Sequence, residues 1–401
     1  MAQSQLIGRT PITNRSQEIV GYEFRLPPQP SHSEPPTLVS SLIGTGGKDS
    51  LFERLANRIV LVDAEQVTDV KQGSVPANRM VAQLDAAQPA DVLSGRMRKL
   101  KAAGFGVCLR RPYAGDVKPE ALDLANYFTF DAGELKGELE KTCNKLRKYN
   151  AKHLAVAVDT PQSFESAHRA GSDLFRGYYF TVPAQQQHQS QAVSPNYATI
   201  VALMKLAKEN APAAKIEEAL KRDAALSFKL LRYINSAGFG LSCEIQSFRH
   251  AVAVLGYQNL YRWLALLMVT AARQSASSAL VTTAITRGHL AELIGANLFD
   301  AQERDNLFIV GAFSLLDAIL QLPLDTIVEQ IALPEPVLDA LFRQEGAYGP
   351  ILSLVEACES VDRSESADTA LELAGLLGLN PSQLNRAQFD AMVWAENIGQ
   401  Q

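Results

Sequence analysis

The chain has 401 residues, room for about two domains of ordinary size, and its 47% hydrophobic and 20% charged residues exclude a disordered or fibrous protein. Residues 1–190 hold 23 Lys and Arg against 20 Asp and Glu, and the rest hold 15 against 23, so the two parts carry +3 and −8 and sum to −5. The acidic second part repels phosphates, which argues against a nucleic-acid partner.

The remaining bulk features predict a cytoplasmic protein that is not inserted in a membrane. The first residues show no basic start followed by an apolar run, so no signal peptide is expected. The longest apolar stretch, Trp263–Ala272, is half the length of about 20 residues that a membrane span needs, which predicts a buried core helix. Four well-separated cysteines are expected to be small buried apolar residues in a reducing compartment: Cys108, Cys143, Cys243 and Cys358.

Short β-like runs alternate with helix-period segments over the first 180 residues or so. A turn at residues 14–17 predicts that the first two runs form an antiparallel hairpin. The later repeats of strand and helix predict a parallel sheet, and eight runs predict a closed barrel. Helices are expected at Asp91–Ala103 and Gly133–Lys148, and a proline-rich loop at Pro27–Pro36. The predicted strands are Leu6–Ile12, Ile19–Leu26, Arg58–Val62, Met80–Leu84, Gly106–Leu109, Tyr127–Phe130, His153–Val158 and Gly177–Val182.

The second half of the chain is predicted to be entirely helical. A glutamine-rich stretch after residue 184 is typical of a linker. Ser194 and Pro195 then predict the start of a helix, and a short helix is expected to end at Gly256. Long segments with apolar stripes follow at 257–275, 278–299 and 303–321. The predicted organisation is an α/β barrel domain over 1–184, a linker over 185–193 and an all-α domain over 194–401.

The first half resembles the EAL family, whose active members hydrolyse cyclic di-GMP on a TIM-like barrel. The resemblance spans residues 5–183 and depends on the order of several motifs. They are Gly21–Arg25, near the family's "YEALLR" strand, Gly104–Arg111, Tyr127–Asp131 and Phe175–Pro183, near "fQGyyFskP".

The departures from the EAL pattern fall on the positions that the family uses to hold divalent metals. Glu23 stands at the EAL glutamate, and Asp63 and Gln83 lie near two further metal positions. The paired aspartates are replaced by Arg110 and Arg111, which cannot ligate a cation. Three other positions also differ: Thr129 replaces the catalytic lysine, Val156 and Asp159 stand where the family has the glutamates of "AEkVE", and Arg176 precedes Gly177 in place of glutamine. The resemblance therefore implies a degenerate phosphodiesterase domain without catalytic residues, metal or cofactor.

The second half resembles HDOD, a catalytically silent relative of the HD phosphohydrolases. The match is densest at Arg222–Phe239 and continues from Ile245 to Gly256. Leu316 occupies the place of the metal-binding histidine of a true HD protein, and only Asp317 remains of that pair. A single aspartate is not a metal site. The EAL-then-HDOD order also resembles a known two-domain arrangement of bacterial regulators.

Two interpretations of the altered barrel site remain open. Glu23 is either a remaining metal ligand or a carboxylate held by a neighbour such as Arg110. Arg110 and Arg111 either bind a phosphate-bearing ligand or form salt bridges that replace the lost metal structurally.

The predicted function is that of a non-enzymatic signal-transduction adaptor, which docks a signalling protein such as a kinase or response regulator. The alternative is a receptor that binds a cyclic di-GMP-type nucleotide without cleaving it, with Glu23, Arg110, Arg111 and Arg176 as ligand candidates. The sequence leaves a homo-oligomer open.

Overall fold

We analysed a computed structural model of the chain. It describes residues 5–26, 54–55, 58–67, 79–113, 117–135, 137–183, 195–221, 248–271, 276–331, 333–360 and 364–399. Three features predicted above lie outside these residues: the proline-rich loop Pro27–Pro36, the linker 185–193 and the HDOD-like segment Arg222–Phe239.

Eight strands in the first half form one closed barrel, as the sequence predicts. Strand β1 pairs antiparallel with β2 and also with β8, which closes the barrel, while β2 to β8 pair in parallel order. The strands are β1 Gly8–Asn14, β2 Ile19–Arg25, β3 Ile59–Asp63, β4 Met80–Asp85, β5 Gly106–Arg110, β6 Tyr127–Asp131, β7 Lys152–Val156 and β8 Leu174–Arg176.

The barrel is filled by apolar side chains that alternate along each strand, because successive residues of a strand face opposite sides of the sheet. The central cluster consists of Ile12, Leu61, Val81, Cys108, Leu154 and Leu174. Residues in phase with these also face inward, which places the ends of the strands around a common opening. The helices of this half are α1 Ala90–Ala102, α2 Pro119–Leu124, α3 Ala132–Leu135, α4 Leu139–Leu146 and α5 Pro161–Arg169.

Two of the predicted elements in the barrel half are wrong. The expected strand Gly177–Val182 lies earlier, at β8, and is followed by a 3₁₀ turn at Tyr179–Thr181. Gly177 ends the strand with a φ of 145°, and a side chain there would collide with the carbonyl oxygen of Val158. The aromatic residues after Gly177 are of a type common in strands. Tyr179 and Phe180 are nevertheless both buried, whereas neighbouring residues of a strand would face opposite sides of the sheet. The expected helix Gly133–Lys148 is divided into α3 and α4, with Gly137 at a φ of 91° between them.

The described part of the second half contains only helices and turns, which confirms the predicted all-α character for these residues. Helix α9 (Ser278–Ile294) is capped by Ser277, whose hydroxyl accepts a hydrogen bond from the Leu280 amide, and helix α10 (Ala301–Phe313) is preceded by a capping box between Asp300 and Glu303. The helices are α6 Pro195–Lys208, α7 Ala213–Lys221, α8 Phe248–Ala271, α9 Ser278–Ile294, α10 Ala301–Phe313, α11 Leu316–Leu320, α12 Leu324–Val328, α13 Glu335–Arg343, α14 Gly349–Ala357, α15 Ser364–Leu376 and α16 Pro381–Gly399.

Helix α8 is interrupted at Gly256, whose φ of 75° is not helical, so the predicted end of a short helix at this glycine is confirmed. Residues 263–269 beyond the break are all buried, as expected for a core helix. Among the described helices, one stretch, His250–Thr270, is long and apolar enough to cross a membrane by length and composition alone. Leu255, an apolar residue just before the break, is only half-buried, whereas Leu264 beyond it is fully buried.

Helices α9 and α10 pack at very short range through two glycines. A Cβ on Gly288 would lie 2.8 Å from the carbonyl oxygen of Phe308, and a Cβ on Gly311 would collide with the carbonyl of Arg287. Real side chains essentially never approach a backbone this closely, so the two helix backbones can meet only because both positions lack a side chain.

The chain divides into two compact units. One contains residues 1–182 and also residues 357–372, and the other contains residues 183–356 and 373–401. The barrel unit is thus built from two separate stretches of sequence.

Candidate functional site

The polar residues that the sequence singles out meet at the carboxyl ends of the barrel strands. Cross-strand register places Asp63 beside Gln83, Asp85 beside Arg110, and Arg110 beside Thr129. Because these residues are in phase with the buried central cluster, their side chains face the interior of the barrel. We call this opening the mouth of the barrel; its members are Glu23, Arg25, Asp63, Gln83, Asp85, Arg110, Arg111, Thr129 and Arg176.

Glu23 is the most deeply buried charge at the mouth, with a side chain only 2% exposed. One of its carboxylate oxygens pairs with Arg176, which is also buried, and the other lies 2.8 Å from Nη2 of Arg25. Burial alone would raise the pKa of Glu23, but the Arg176 and Arg25 guanidiniums outweigh it and hold the pKa below its ordinary value. Glu23 is therefore a carboxylate with both oxygens engaged by guanidiniums inside the protein.

Arg110 and Arg111 form a second group of ion pairs at the mouth, with the carboxylates of Asp63 and Asp85. Arg110 lies 3.5 Å from Asp63 and 3.6 Å from Asp85, and Arg111 hydrogen-bonds Asp85. Burial tends to raise the pKa of Asp85, but a hydrogen bond from the Ala87 amide and the two arginines lower it overall. These residues line a cleft of about 360 Å³.

The backbone of Arg111 adopts a left-handed conformation, with a φ of 52°. This conformation is unfavourable for a residue with a long side chain, and such strain often marks a functional site. The Nε atom of Arg111 is buried and makes no hydrogen bond to the described residues, whereas the Nε atom of Arg110 lies 3.6 Å from a carboxylate oxygen of Asp85.

The residues at the mouth do not fit the divalent metals that the EAL resemblance implies. Both oxygens of Glu23 are held by guanidiniums, and Arg110 lies between Asp63 and Asp85, where its positive charge repels a cation. Over the described ranges, no group of three or more His, Cys, Asp or Glu side chains is arranged to hold a metal ion. Thr129, at the expected lysine position, is buried, and its hydroxyl makes no hydrogen bond to the part of the chain that the structure describes.

Sequence reasoning missed two members of the mouth and misassigned one contact. The predicted partner of Glu23, Arg110, is wrong, because Arg176 and Arg25 hold Glu23 instead. Arg25 and Asp85 were not singled out. Both could have been found from strand periodicity, because each lies two residues after a mouth residue and hence on the same face of its strand.

In the second half, Leu316 is fully buried in the core and Asp317 is partly buried. Burial raises the pKa of Asp317, although the positive charge of Arg287 opposes this effect. Arg287 itself donates hydrogen bonds to Ser314 and Glu356, at 2.9 and 3.2 Å.

Comparison with known proteins finds a family match in the second half and relatives that align with most of the chain. Residues 194–332 match the model of the HDOD domain. CdgJ of Vibrio cholerae, named a cyclic di-GMP phosphodiesterase, is 26% identical over 332 residues, which cover 81% of this chain and 75% of that protein. YuxH of Bacillus subtilis is 24% identical over 420 residues, which cover 98% of each chain. These matches support a two-domain EAL–HDOD organisation of the chain.

These comparisons correct one prediction about the EAL–HDOD protein. The expectation that it is not an enzyme is wrong, because CdgJ, a relative over most of the chain, is named a phosphodiesterase. Among solved structures, the PaMucR phosphodiesterase in complex with cyclic di-GMP is similar at a TM-score of 0.33 and 18% identity, over 44% of this chain and 90% of that one. A similarity this low establishes neither fold nor function, and the barrel is established by the pairing of its strands.

Proposed function

We propose that this EAL–HDOD protein is a regulator in cyclic di-GMP signalling, and that its HDOD domain binds another signalling protein, a kinase or a response regulator. The relative CdgJ, named for its action on cyclic di-GMP, supports the signalling system. The HDOD match over residues 194–332 supports the location of the binding function.

The observation that carries this proposal is the pairing of charges at the mouth. Glu23 is engaged by Arg176 and Arg25, and Asp85 is engaged by Arg110 and Arg111. Charges that are paired inside the protein attract an external ligand less strongly than free charges do. In our proposal these ion pairs stabilise the barrel, and the HDOD domain passes the signal to a protein partner.

In-cell photo-crosslinking from the full chain tests the proposal. A photoreactive residue replaces Val254 or Leu298 in the HDOD region, and a matched one replaces Val92 of the barrel; all three side chains are about half exposed. We expect a kinase or response regulator to be crosslinked from an HDOD position and not from Val92, and the purified partner to bind the full chain. Equal yields from all three positions, or crosslinks confined to Val92, would overturn the proposal.

A second function, binding of cyclic di-GMP at the mouth, is favoured by the strained backbone of Arg111 and by the position of Arg110 and Arg111, whose side chains are 33% and 40% exposed and line a cleft of about 360 Å³. Paired arginines suit phosphate groups because their planar donors match phosphate oxygens. Calorimetric titration of the full chain with cyclic di-GMP tests this function, with and without Mg²⁺. Hydrolysis is measured in the same samples.

The double substitution Arg110→Asp, Arg111→Asp should abolish such binding, and aspartate tolerates the left-handed backbone at position 111. Arg98→Asp, on the exposed face of α1, is the matched control and should bind like the wild type. Binding that survives the double substitution would contradict a receptor site at these arginines. Metal-dependent hydrolysis in these samples would show that this chain also cleaves cyclic di-GMP, as the name of its relative CdgJ suggests.

A further inference from the structure

A second cleft lies at the opposite end of the barrel from the mouth. Its lining includes Tyr127, Lys152 and Leu174, which are the first residues of β6, β7 and β8. Parallel strands start at one end of a barrel and finish at the other, so this cleft is separate from the Arg110 and Arg111 site. Its volume of about 730 Å³ is within the range of small-molecule sites.

One part of the cleft surface is apolar and aromatic. Val20, Ile59 and Tyr127 line the cleft and pack against the central cluster of the barrel. Tyr149 also lines it and is held edge-on to Phe128, with ring centroids 6.3 Å apart. Flat apolar surfaces of this kind suit a planar ring.

The polar part of the cleft has an excess of positive charge. Arg147 and Lys152 line it together with one carboxylate, that of Asp173. Arg147 lies 3.7 Å from Asp173, and Arg15, just outside the lining, lies 3.9 Å from the same carboxylate. Asp173 is therefore neutralised by two arginines, while the exposed amine of Lys152 has no ion pair or hydrogen bond with the described residues.

His153 also belongs to the lining, but its ring faces the outer side of β7, because the neighbouring Leu154 belongs to the central cluster of the barrel. The ring is fully buried and packs against Phe130 and Phe128, with ring centroids 4.9 and 6.0 Å apart. His153 is therefore part of the packing around the cleft and is not assigned a ligand contact.

We propose that this cleft binds a small aromatic anion, with its ring on Val20, Ile59 and Tyr127 and its anionic group on Lys152 and Arg147. The ligand class is a planar ring that carries one sulfonate, carboxylate or phosphate group. The site is independent of the barrel mouth and of the function proposed above.

Fluorescence titration of the full chain with 8-anilinonaphthalene-1-sulfonate, a naphthalene ring system that bears one sulfonate, tests the site. We expect saturable binding with one site per chain. Lys152→Glu should weaken it about tenfold or more, because the substitution places a negative charge beside the sulfonate. Lys152→Arg should retain binding. Lys152 is exposed at the barrel surface, so we expect both variants to fold like the wild type.

Two controls separate the site from general charge effects and from the mouth. Lys99→Glu makes the same charge change at an exposed position that lines neither cleft and should leave binding unchanged. The double substitution Arg110→Asp, Arg111→Asp should also leave binding unchanged. The proposal is overturned by wild-type protein that binds no dye saturably, by wild-type affinity in Lys152→Glu, or by loss of binding in the double variant.

Discussion

Replacement of Arg176 by methionine should remove one of the two guanidiniums that hold the buried carboxylate of Glu23. Breaking a buried ion pair costs about 3–5 kcal/mol, because the remaining charge is left without compensation in the interior. Arg25 still contacts the other oxygen of Glu23, at 2.8 Å and with a side chain 30% exposed. We therefore expect a loss near the lower end, about 3 kcal/mol. The double variant Glu23→Leu, Arg176→Met should recover much of this loss, because it leaves neither charge buried.

The pH dependence of Arg176→Met should also reverse in sign. In the wild type the pKa of Glu23 is lowered, so its contribution to stability is present above the ordinary glutamate pKa of 4.5 and is lost as pH falls through the folded-state pKa. Without Arg176, burial becomes dominant and raises that pKa. The variant should then regain stability as pH falls from neutrality towards about 4.5.

The assay must report on the barrel, and tryptophan fluorescence does not, since both tryptophans, Trp263 and Trp394, lie in the helical half. Hydrogen exchange in urea, read by mass spectrometry on peptides that cover 19–25 and 174–182, follows β2 and β8 directly. Arg98→Met breaks an exposed pair with Glu120 and should cost less than about 1 kcal/mol. Equal exchange in Arg176→Met and the wild type at pH 7 would refute our account of the mouth.

Three further predictions concern packing and titration. Gly311→Ala should destabilise the helical half by about 1–3 kcal/mol, because its Cβ meets the Arg287 carbonyl, whereas Gly375→Ala, with no atom nearby, should lose nothing; urea unfolding followed by tryptophan fluorescence compares them. Leu264→Ala should cost about 2–5 kcal/mol in the same assay, and wild-type unfolding would show that its burial is misjudged. Burial and Arg147 lower the pKa of His153, although Asp173 opposes them, so wild-type stability should fall as pH drops below 6.5. Hydrogen exchange of the β7 peptide should show that His153→Leu removes this part of the pH slope, and an unchanged slope would contradict the assignment.

Strand periodicity predicts much of the barrel, because inward and outward positions alternate and the alternation survives in the sequence. It could not predict which charges pair across the mouth. Glu23 and Arg176 are more than 150 residues apart, and their contact exists only because β8 returns to β1 and closes the barrel. The strand predicted at Gly177–Val182 fails for a local reason: aromatic composition favours a strand there, but the backbone at Gly177 does not.

In the helical half, apolar stripes locate the helices but not the faces that are buried. Leu255 is apolar, like most core residues, yet it precedes the break at Gly256 and is only half-buried. The close crossing of α9 and α10 also escapes a search for apolar periodicity, because glycines have no side chain to contribute to a stripe. The role of Gly288 and Gly311 is visible only in the structure, where each glycine lies against the backbone of the other helix.

The discontinuous composition of the barrel unit has a consequence for how the protein is made. Residues 357–372 belong to that unit but are translated only after residues 183–356 have been synthesised. At about 5–20 residues per second, the nascent barrel waits on the order of ten seconds or more for its last segment. A nonsense mutation or a proteolytic cut anywhere in the intervening stretch would thus deprive the barrel of part of its own packing, although every strand had already been synthesised.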